Sequence, residues 1–200
     1  MLPEGDSALL VEFDSLAEAL GFYRAADAAR PRGVVELVPG ARTVLAICEV
    51  SILPLVDLRR WLKGIVSSSS DVLATGVVEV PVRYDGVDLD EVAGILDLTP
   101  AEVVELHTNS IWTVAFGGFA PGFGYLVTNH SRLRVPRRSS PRLLVPAGAV
   151  GLAGEFSGIY PRPSPGGWQL IGTTEVVLFD QYRTPPSTLT PGTTVRFVAE

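Results

Sequence analysis

The sequence contains a single cysteine, Cys48, among its 200 residues, so no disulfide can form within the chain. Cys48 ends the apolar run 44–48, and a cysteine in such a run is usually a small buried hydrophobic residue rather than a nucleophile. Two histidines, with no HExxH or CxxC motif, leave no predicted transition-metal site. The chain also lacks a phosphate-binding P-loop, a dinucleotide fingerprint and a Gly-x-Ser-x-Gly nucleophile turn, which excludes the enzyme classes built on them.

Basic residues are in the minority, with 16 Lys and Arg against 22 Asp and Glu, a net charge of -6 and a pI near 5.0. Nucleic-acid binding needs a clustered basic face, which this composition does not provide. No run of about 18 apolar residues occurs, and the chain does not open with the charged and apolar regions of a secretory signal. These absences predict a cytoplasmic protein that binds neither nucleic acid nor membrane.

The first 84 residues alternate short apolar runs with amphipathic segments, which predicts a small α/β domain. Strands are predicted at 7–13, 34–38, 42–49 and 77–82, and helices at 16–29 and 53–66. The turn pair Pro39-Gly40 indicates that the second and third strands form a hairpin. The order β-α-β-β-α-β is that of a ferredoxin-like domain, in which two helices cover one face of an antiparallel sheet.

Residues 85–200 differ because glycine and proline separate many short strand-like runs. Two helices are predicted first, at 89–97 and 100–108, and Thr99 with Glu102 supplies a capping box for the second. Strand-like runs follow at 111–116, 143–145, 149–153, 168–171, 175–179 and 194–198. Many short strands separated by turns predict a sandwich or barrel. The predicted fold class is therefore α+β, with a ferredoxin-like domain at 1–84 and a strand-rich domain at 85–200.

The first candidate site is a glycine-rich segment at 117–126 that contains three aromatic residues; we call it the aromatic turn. Its glycines allow a tight turn or a close approach to a ligand, and its aromatic side chains offer stacking surfaces. A hairpin with a half-buried aromatic cluster would have the same composition. The candidate ligand-contacting residues are Phe119, Pro121, Gly122, Phe123 and Tyr125.

Three arginines, Arg137, Arg138 and Arg142, stand between prolines in a chain that is acidic overall. Proline stiffens the backbone, and a guanidinium group binds carboxylates or phosphates through two parallel hydrogen bonds. This arginine segment, residues 135–142, therefore indicates an anion-binding site. The structural alternative is a basic loop exposed to solvent.

Four further candidates are isolated polar or aromatic residues. Glu155 follows a predicted strand of small residues. Its three possible roles are a general base, an ion-pair partner of an arginine, and a turn residue. Trp168 and Gln169 follow the glycine pair at 166–167. The Gln169 carboxamide is suited to hydrogen-bond a small substrate or the backbone of a neighbouring loop. His107 ends a predicted helix, where a cation is favoured by the helix dipole, and His130 falls in a polar turn expected at the surface.

These motifs together, and in this order, resemble the B-subunit family of 5-oxoprolinase, also called allophanate hydrolase subunit 1 or the sporulation-kinase-inhibitor family. The resemblance covers nearly the whole chain, at 5–11, 107–108, 118–126, 136–142, 145–151, 158–161 and 164–172. Two segments depart from the family pattern: 127–131 lacks a Gly-Gly-Leu, and 84–88 is shorter than the usual loop. Both departures bear on partner docking and substrate choice.

The resemblance implies a small N-terminal α/β domain followed by a cyclophilin-like β-barrel. It also implies a partner of the 5-oxoprolinase C-subunit (allophanate hydrolase subunit 2) type, a third subunit, and an ATP-dependent opening of 5-oxoproline to glutamate, with no activity from this chain alone. We expect the arginine segment and the aromatic turn to hold the anionic substrate or a phosphorylated intermediate. Replacing Arg137 or Arg142 with alanine is then expected to impair the assembled enzyme and leave folding intact.

Two other functions are compatible with the same resemblance. One is a component of a urea carboxylase and allophanate hydrolase system, in which biotin would arrive on another chain because no biotinyl-lysine motif is present here. The other is a histidine-kinase inhibitor that acts only by binding. Independent allophanate hydrolysis is not expected without a Ser-Ser-Lys amidase signature, and a cyclophilin-like fold alone does not indicate prolyl isomerisation.

Overall fold

The computed structural model describes residues 1–66, 76–129 and 132–200 of the chain. The chain divides into two compact units, Met1–Val72 and Leu73–Glu200. Residues 67–71, which the sequence pattern predicts as a solvated loop, and the predicted surface residue His130 lie outside the described residues. Within the described ranges, no helix is long and apolar enough to cross a membrane.

In its described residues, the first unit is a four-stranded antiparallel sheet with two helices. Its elements are β1 (Leu2–Glu4), β2 (Ala8–Glu12), α1 (Leu16–Ala28), β3 (Val34–Pro39), β4 (Thr43–Cys48) and α2 (Leu55–Lys63). The strand order is β1-β2-β4-β3, and β3 and β4 form the predicted hairpin. Ser15 caps α1 by accepting a hydrogen bond from the Glu18 N–H, directly before the helix start predicted at residue 16. Cys48 is buried in the core, which confirms its structural role.

The strand predicted at 77–82 does not join this first sheet. β5 (Val77–Val82) pairs in parallel with the last strand of the chain, so that Val77 lies opposite Thr194 and Val82 opposite Ala199. A ferredoxin-like arrangement is therefore not confirmed, because its closing strand belongs to the second sheet. The burial of alternate residues along β5 shows that one face is covered, but it carries no information about which strand is the neighbour.

The second unit contains a seven-stranded sheet of order β12-β9-β10-β7-β6-β13-β5 and a separate strand pair, β11-β8. After β5, its elements are α3 (Leu89–Leu96), α4 (Pro100–Asn109), β6 (Trp112–Gly117), β7 (Gly124–Val127), β8 (Arg142–Val145), β9 (Ala149–Ala153), β10 (Phe156–Ile159), β11 (Ser164–Gly166), β12 (Gln169–Thr173) and β13 (Thr194–Ala199).

The seven-stranded sheet is nearly closed into a barrel. Directly after β5, the Arg83 N–H donates to the Thr173 carbonyl at 2.9 Å, and the Thr173 N–H donates back to the Arg83 carbonyl at 2.8 Å. Gly172 permits this approach, because a Cβ at that position would lie 2.5 Å from the Arg83 carbonyl oxygen. The prediction of a barrel-like second domain is confirmed at this level, while its cyclophilin-like topology stays a prediction.

The two helices of the second unit contribute to the barrel core. Val92 of α3 and Val103 of α4 are fully buried with barrel residues. Thr99 and Glu102 form the predicted capping box, in which the Thr99 hydroxyl accepts from the Glu102 N–H and the Glu102 carboxylate accepts from the Thr99 N–H at 2.7 Å. The start of α4 is therefore fixed by local sequence, as the pattern predicts.

Candidate functional site

The aromatic turn connects β6 to β7 in a strained conformation. Phe119 has φ 64°, a left-handed backbone geometry that bulky residues rarely adopt, and its side chain remains 55% exposed. Gly122 has φ 85°, and a Cβ there would lie only 2.8 Å from the Cβ of Phe179. Strain of this kind is concentrated at sites where a protein must hold a side chain in one position.

An aromatic cavity of about 280 Å³ opens beside this turn. Its lining residues are Phe119, Phe123, Tyr125, Arg137, Pro141, Tyr160, Pro165, Gly166, Gly167 and Trp168. The Phe123 ring packs edge-on against Tyr125, Tyr160 and Trp168, with centroid distances of 5.0, 5.6 and 5.4 Å. Gly158 of β10 gives these rings room, because a Cβ there would lie 2.9 Å from both Phe123 and Trp168. The rings fix the shape of the cavity through mutual contact.

Two tyrosine hydroxyls belong to the cavity wall. Burial raises the pKa of Tyr125 and of Tyr160, so both remain neutral hydroxyls near pH 7 and can donate hydrogen bonds. The Tyr160 hydroxyl also accepts a hydrogen bond from the Trp168 backbone N–H. The cavity therefore combines flat apolar walls with a few fixed polar groups, as small-molecule sites do.

Arg137 is the cation of this cavity. It lines the cavity together with Tyr125 and Tyr160. In the part of the chain that the structure describes, Arg137 forms no ion pair. An exposed guanidinium beside aromatic walls is suited to bind a small anion.

The other two candidate arginines are held in a charge cluster that consists of Asp88, Glu91, Arg138, Arg142 and Gln169. Asp88 is 2% exposed, and its Oδ1 accepts from Arg138 at 2.8 Å and from Arg142 at 2.6 Å. Glu91 adds a longer contact of 3.5 Å to Arg138 and accepts from Gln169 at 3.4 Å. The positive charges of Arg138 and Arg142 are thus balanced within the protein.

Asp88 is ionised within this cluster. Burial alone would raise the pKa of Asp88, but hydrogen bonds from Arg142 and from the Leu170 N–H, together with the charges of Arg142 and Arg138, outweigh it and lower the pKa. The Leu170 N–H donates to the second carboxylate oxygen at 2.7 Å. A buried carboxylate with three donors joins the start of α3, the arginine segment and β12.

His107 lies inside the barrel and not at the cavity. It is fully buried, stacks on Phe197 with a centroid distance of 4.2 Å, and has hydrogen bonds from its two ring nitrogens to the Tyr84 hydroxyl at 2.8 Å and the Ser157 hydroxyl at 3.0 Å. Burial lowers the pKa of His107 to about 3, so the ring is neutral and does not supply a cation to the helix end. Among the described residues no cluster of His, Cys, Asp or Glu is arranged to hold a metal ion.

The neutral state of His107 predicts a loss of stability in mild acid. The folded-state pKa lies below the value of 6.5 expected in the unfolded chain, so protonation favours unfolding as the pH falls from 6.5 towards 3. We expect the free energy of unfolding to decrease by up to about 1.4 kcal/mol per pH unit in this window. Urea unfolding at pH 7, 6 and 5 measures this slope, and the lowered pKa of Asp88 keeps that carboxylate ionised in the folded protein over this range.

A His107→Phe variant is the control for this slope. It is expected to be less stable at pH 7, because Ser157 and Tyr84 lose a partner, and to lose less stability than the wild type between pH 7 and 5. Equal slopes in the two proteins would show that His107 is not the titrating group.

The remaining candidates lie at different places in the second unit. Glu155 accepts a hydrogen bond from Arg134 at 2.9 Å and lines a separate shallow depression. Pro121 is part of the aromatic turn but not of the cavity lining. Gln169 is 1% exposed and belongs to the charge cluster. The structure therefore brings together the aromatic turn, Arg137 and Trp168, and separates them from His107 and Glu155.

Two important residues were absent from the sequence candidates. Tyr160 was seen only as part of a glycine- and proline-rich motif, although it forms one wall of the cavity. Asp88 was seen only as part of a short loop, although it balances two arginines that lie 50 and 54 residues further along the chain. The available signal was weak: an acid immediately before a predicted helix in a chain with an unexplained arginine cluster.

Comparisons with known proteins agree on a single family. Residues 1–189 match the family described as carboxyltransferase domain, subdomain C and D. The B subunit of 5-oxoprolinase from Escherichia coli O157:H7 is 39% identical, across 98% of this chain and 94% of that protein. The B subunit of 5-oxoprolinase from Bacillus subtilis is 50% identical across 61% of this chain, and the match spans about half (52%) of that relative.

Solved structures extend the comparison to larger proteins. TTHA0988 is 39% identical with a TM-score of 0.78, over 96% of this chain and 40% of that chain. The urea carboxylase of Kluyveromyces lactis shares the fold, with a TM-score of 0.81 and 21% identity, over 99% of this chain and 21% of that chain. The match of residues 1–189 to the family and the relatives named above show that this chain belongs to the 5-oxoprolinase B-subunit family of carboxyltransferase-type domains.

Proposed function

We propose that this chain is the B subunit of an ATP-dependent 5-oxoprolinase, which opens the lactam ring of 5-oxoproline to give glutamate. The observation that supports this role most directly is the aromatic cavity with Arg137 as its cation. 5-Oxoproline is a small, nearly flat ring with one carboxylate, so its ring suits the aromatic walls and its carboxylate suits the guanidinium. The names of the E. coli and B. subtilis relatives point to the same activity.

The size of the cavity favours the lactam over the nucleotide as its ligand. Pockets for drug-sized ligands have volumes of roughly 300–1,000 Å³, and this cavity, at about 280 Å³, is smaller. Of the described residues that line the cavity, Arg137 is the one cation, which gives little compensation for a triphosphate. We therefore propose that ATP is bound elsewhere in the assembled complex and that this chain holds the lactam.

ATP is required because amide resonance makes the lactam carbon a poor electrophile. Coupling ring opening to ATP hydrolysis supplies the activation that the uncatalysed amide lacks, and one 5-oxoproline, one ATP and two waters give glutamate, ADP and phosphate. In this chain, Tyr125 and Tyr160 both line the cavity, and their neutral hydroxyls are suited to donate hydrogen bonds to the lactam oxygen. Arg137 holds the opposite, carboxylate side of the ring.

We also propose a partner of the C-subunit type and a third subunit. In TTHA0988 the matching region is only 40% of a longer chain, so there the same domain is linked to further protein. Here the strand β8 exposes two consecutive leucines, Leu143 at 93% and Leu144 at 66%, and Leu143 is two residues after Pro141 of the cavity wall. Exposed apolar residues beside a ligand cavity are suited to contact a partner that covers the site.

The experiment that tests the proposal is ATP-dependent glutamate release from 5-oxoproline with purified subunits. We expect release only when this chain is present with its co-encoded partners, and none when it alone is omitted. Full activity without the chain would contradict the proposal. An assembled complex that is inactive on 5-oxoproline but active in urea carboxylation would support the urea carboxylase alternative, and inhibition of a histidine kinase without turnover would support the regulatory one.

A further inference from the structure

Acidic residues balance most of the positive charge beside the aromatic cavity. Three arginines occur within six residues, at 137, 138 and 142, yet they do not act as one cationic patch. Asp88 forms short hydrogen bonds with Arg138 and Arg142, and Glu91 lies 3.5 Å from Arg138. Two carboxylates therefore offset two guanidiniums, and within the described ranges Arg137 is the one of these three arginines without a carboxylate partner.

The cluster also fixes the position of Arg137 along the backbone. Next to it, Arg138 is held twice, by its side chain on Asp88 and by its backbone N–H, which donates to the Gly167 carbonyl at 2.9 Å. Gly167 and Pro141 both line the cavity, and Arg142, which follows Pro141, is held on the same carboxylate oxygen of Asp88. One buried acid thus anchors both ends of the segment that forms this wall.

We propose that Asp88 is a positioning residue that restricts the aromatic cavity to ligands with a single negative charge. The inference rests on the proposed function and deepens it, because 5-oxoproline is a monoanion at neutral pH. Because Asp88 binds Arg138 and Arg142, the guanidinium groups of these two residues are not available to the ligand. Arg137 is then the arginine of this segment that contacts the ligand in the cavity. A ligand with two negative charges meets one guanidinium and leaves part of its charge without a partner, which is costly at a partly buried site.

The two bound arginines retain the capacity to bind an anion if they are released. Among the described residues, Nε of Arg138 and Nη1 of Arg142 are buried without a hydrogen-bond partner. Removal of the Asp88 charge would leave two guanidiniums next to the cavity wall with free donors. The selectivity of the site is then expected to move from monoanions towards dianions.

Isothermal titration calorimetry of the full chain with 5-oxoproline and with sulfate, a permanent dianion, tests this inference. We expect the wild-type chain to bind 5-oxoproline more tightly than sulfate. Asp88→Asn is expected to weaken 5-oxoproline binding and to strengthen sulfate binding, each on the order of tenfold, which is the effect of one charge-assisted hydrogen bond. A cooperative thermal transition verifies that the variant is folded.

Glu91→Gln provides a second test that does not depend on the stability of the first variant. Glu91 is 55% exposed, so its replacement removes one balancing charge without breaking the hydrogen bonds of Asp88. We expect the same direction of change at a smaller magnitude. An unchanged ratio of the two affinities in both variants would overturn the role of Asp88 and leave the proposed function intact, whereas a wild-type chain that does not bind 5-oxoproline would contradict the proposed site itself.

Discussion

Replacement of Arg137 with alanine is expected to lower kcat/KM of the assembled complex for 5-oxoproline by on the order of 100-fold, with no change in the melting temperature of the chain. A guanidinium that binds a carboxylate through two charge-assisted hydrogen bonds contributes about 3 kcal/mol, which corresponds to roughly two powers of ten. Folding is unaffected because Arg137 is exposed and, in the described part of the chain, unpaired. Steady-state kinetics at several 5-oxoproline concentrations measures the effect.

The matched control is Arg134→Ala. Arg134 is an exposed arginine three residues earlier in the chain, but its guanidinium pairs with Glu155 and lines a different depression. We expect the control to retain wild-type kinetics and Arg137→Lys to lose less activity than Arg137→Ala, because lysine keeps the charge without the planar fork. Wild-type turnover by Arg137→Ala in a complex of normal composition would contradict the assignment of Arg137 to the substrate carboxylate.

Replacement of Arg142 with alanine is expected to destabilise the protein by about 3 kcal/mol, because it leaves a buried carboxylate with one of its two cationic partners missing. Asp88 is 2% exposed and has its shortest arginine contact, 2.6 Å, with Arg142. A loss of this size is a large part of the roughly 5–15 kcal/mol by which a typical domain is stable. Thermal or urea unfolding of the isolated chain measures it directly.

Arg83→Ala serves as the control for this prediction. Arg83 also contacts two carboxylates, Asp85 at 3.9 Å and Glu175 at 3.8 Å, but all three side chains are more than half exposed. Exposed ion pairs contribute about 0–1 kcal/mol, so this variant should be nearly as stable as the wild type. Equal stability of the two variants would show that the Asp88 cluster does not hold the second unit together.

The expectation for Arg142 reverses the one drawn from sequence, and the reason is physical. A proline-flanked arginine segment looks the same whether its guanidiniums face a ligand or an internal acid. The internal acid is Asp88, which lies 50 residues before Arg138 and 54 residues before Arg142 in the chain. Sequence spacing contains no information on such a distant pairing, so sequence alone could not separate Arg137 from Arg138 and Arg142.

Local structure was easier to predict than long-range pairing. The cap at Ser15, the capping box at Thr99 and the β3-β4 hairpin depend on residues within a few positions of each other, and the structure contains all three. The parallel pairing of β5 with β13 joins residues more than 100 positions apart. Because of this pairing β5 belongs to the second sheet, whereas the sequence pattern predicts it in the first. For the same reason His107, at a helix end by sequence, is found in the barrel interior.

The candidate site was partly predictable because its aromatic part is continuous in sequence. The aromatic side chains of a glycine-rich segment identified Phe119, Phe123 and Tyr125 as candidates, and the structure places all three around one cavity. The opposite wall, with Tyr160 and Trp168, comes from a motif some 40 residues later and reaches the turn only through pairing of β7 with β10. The shape of the cavity is thus a property of the sheet.

The measurement that tests the central claim most directly is a crystal structure of the assembled complex with 5-oxoproline bound. The proposal predicts the ligand in the aromatic cavity, with its carboxylate within hydrogen-bonding distance of Arg137 and its ring against Phe123 and Trp168. Arg138 and Arg142 should remain on Asp88 in that structure. Ligand density bound elsewhere in the complex, with the cavity occupied only by solvent, would contradict the claim that this chain holds the substrate.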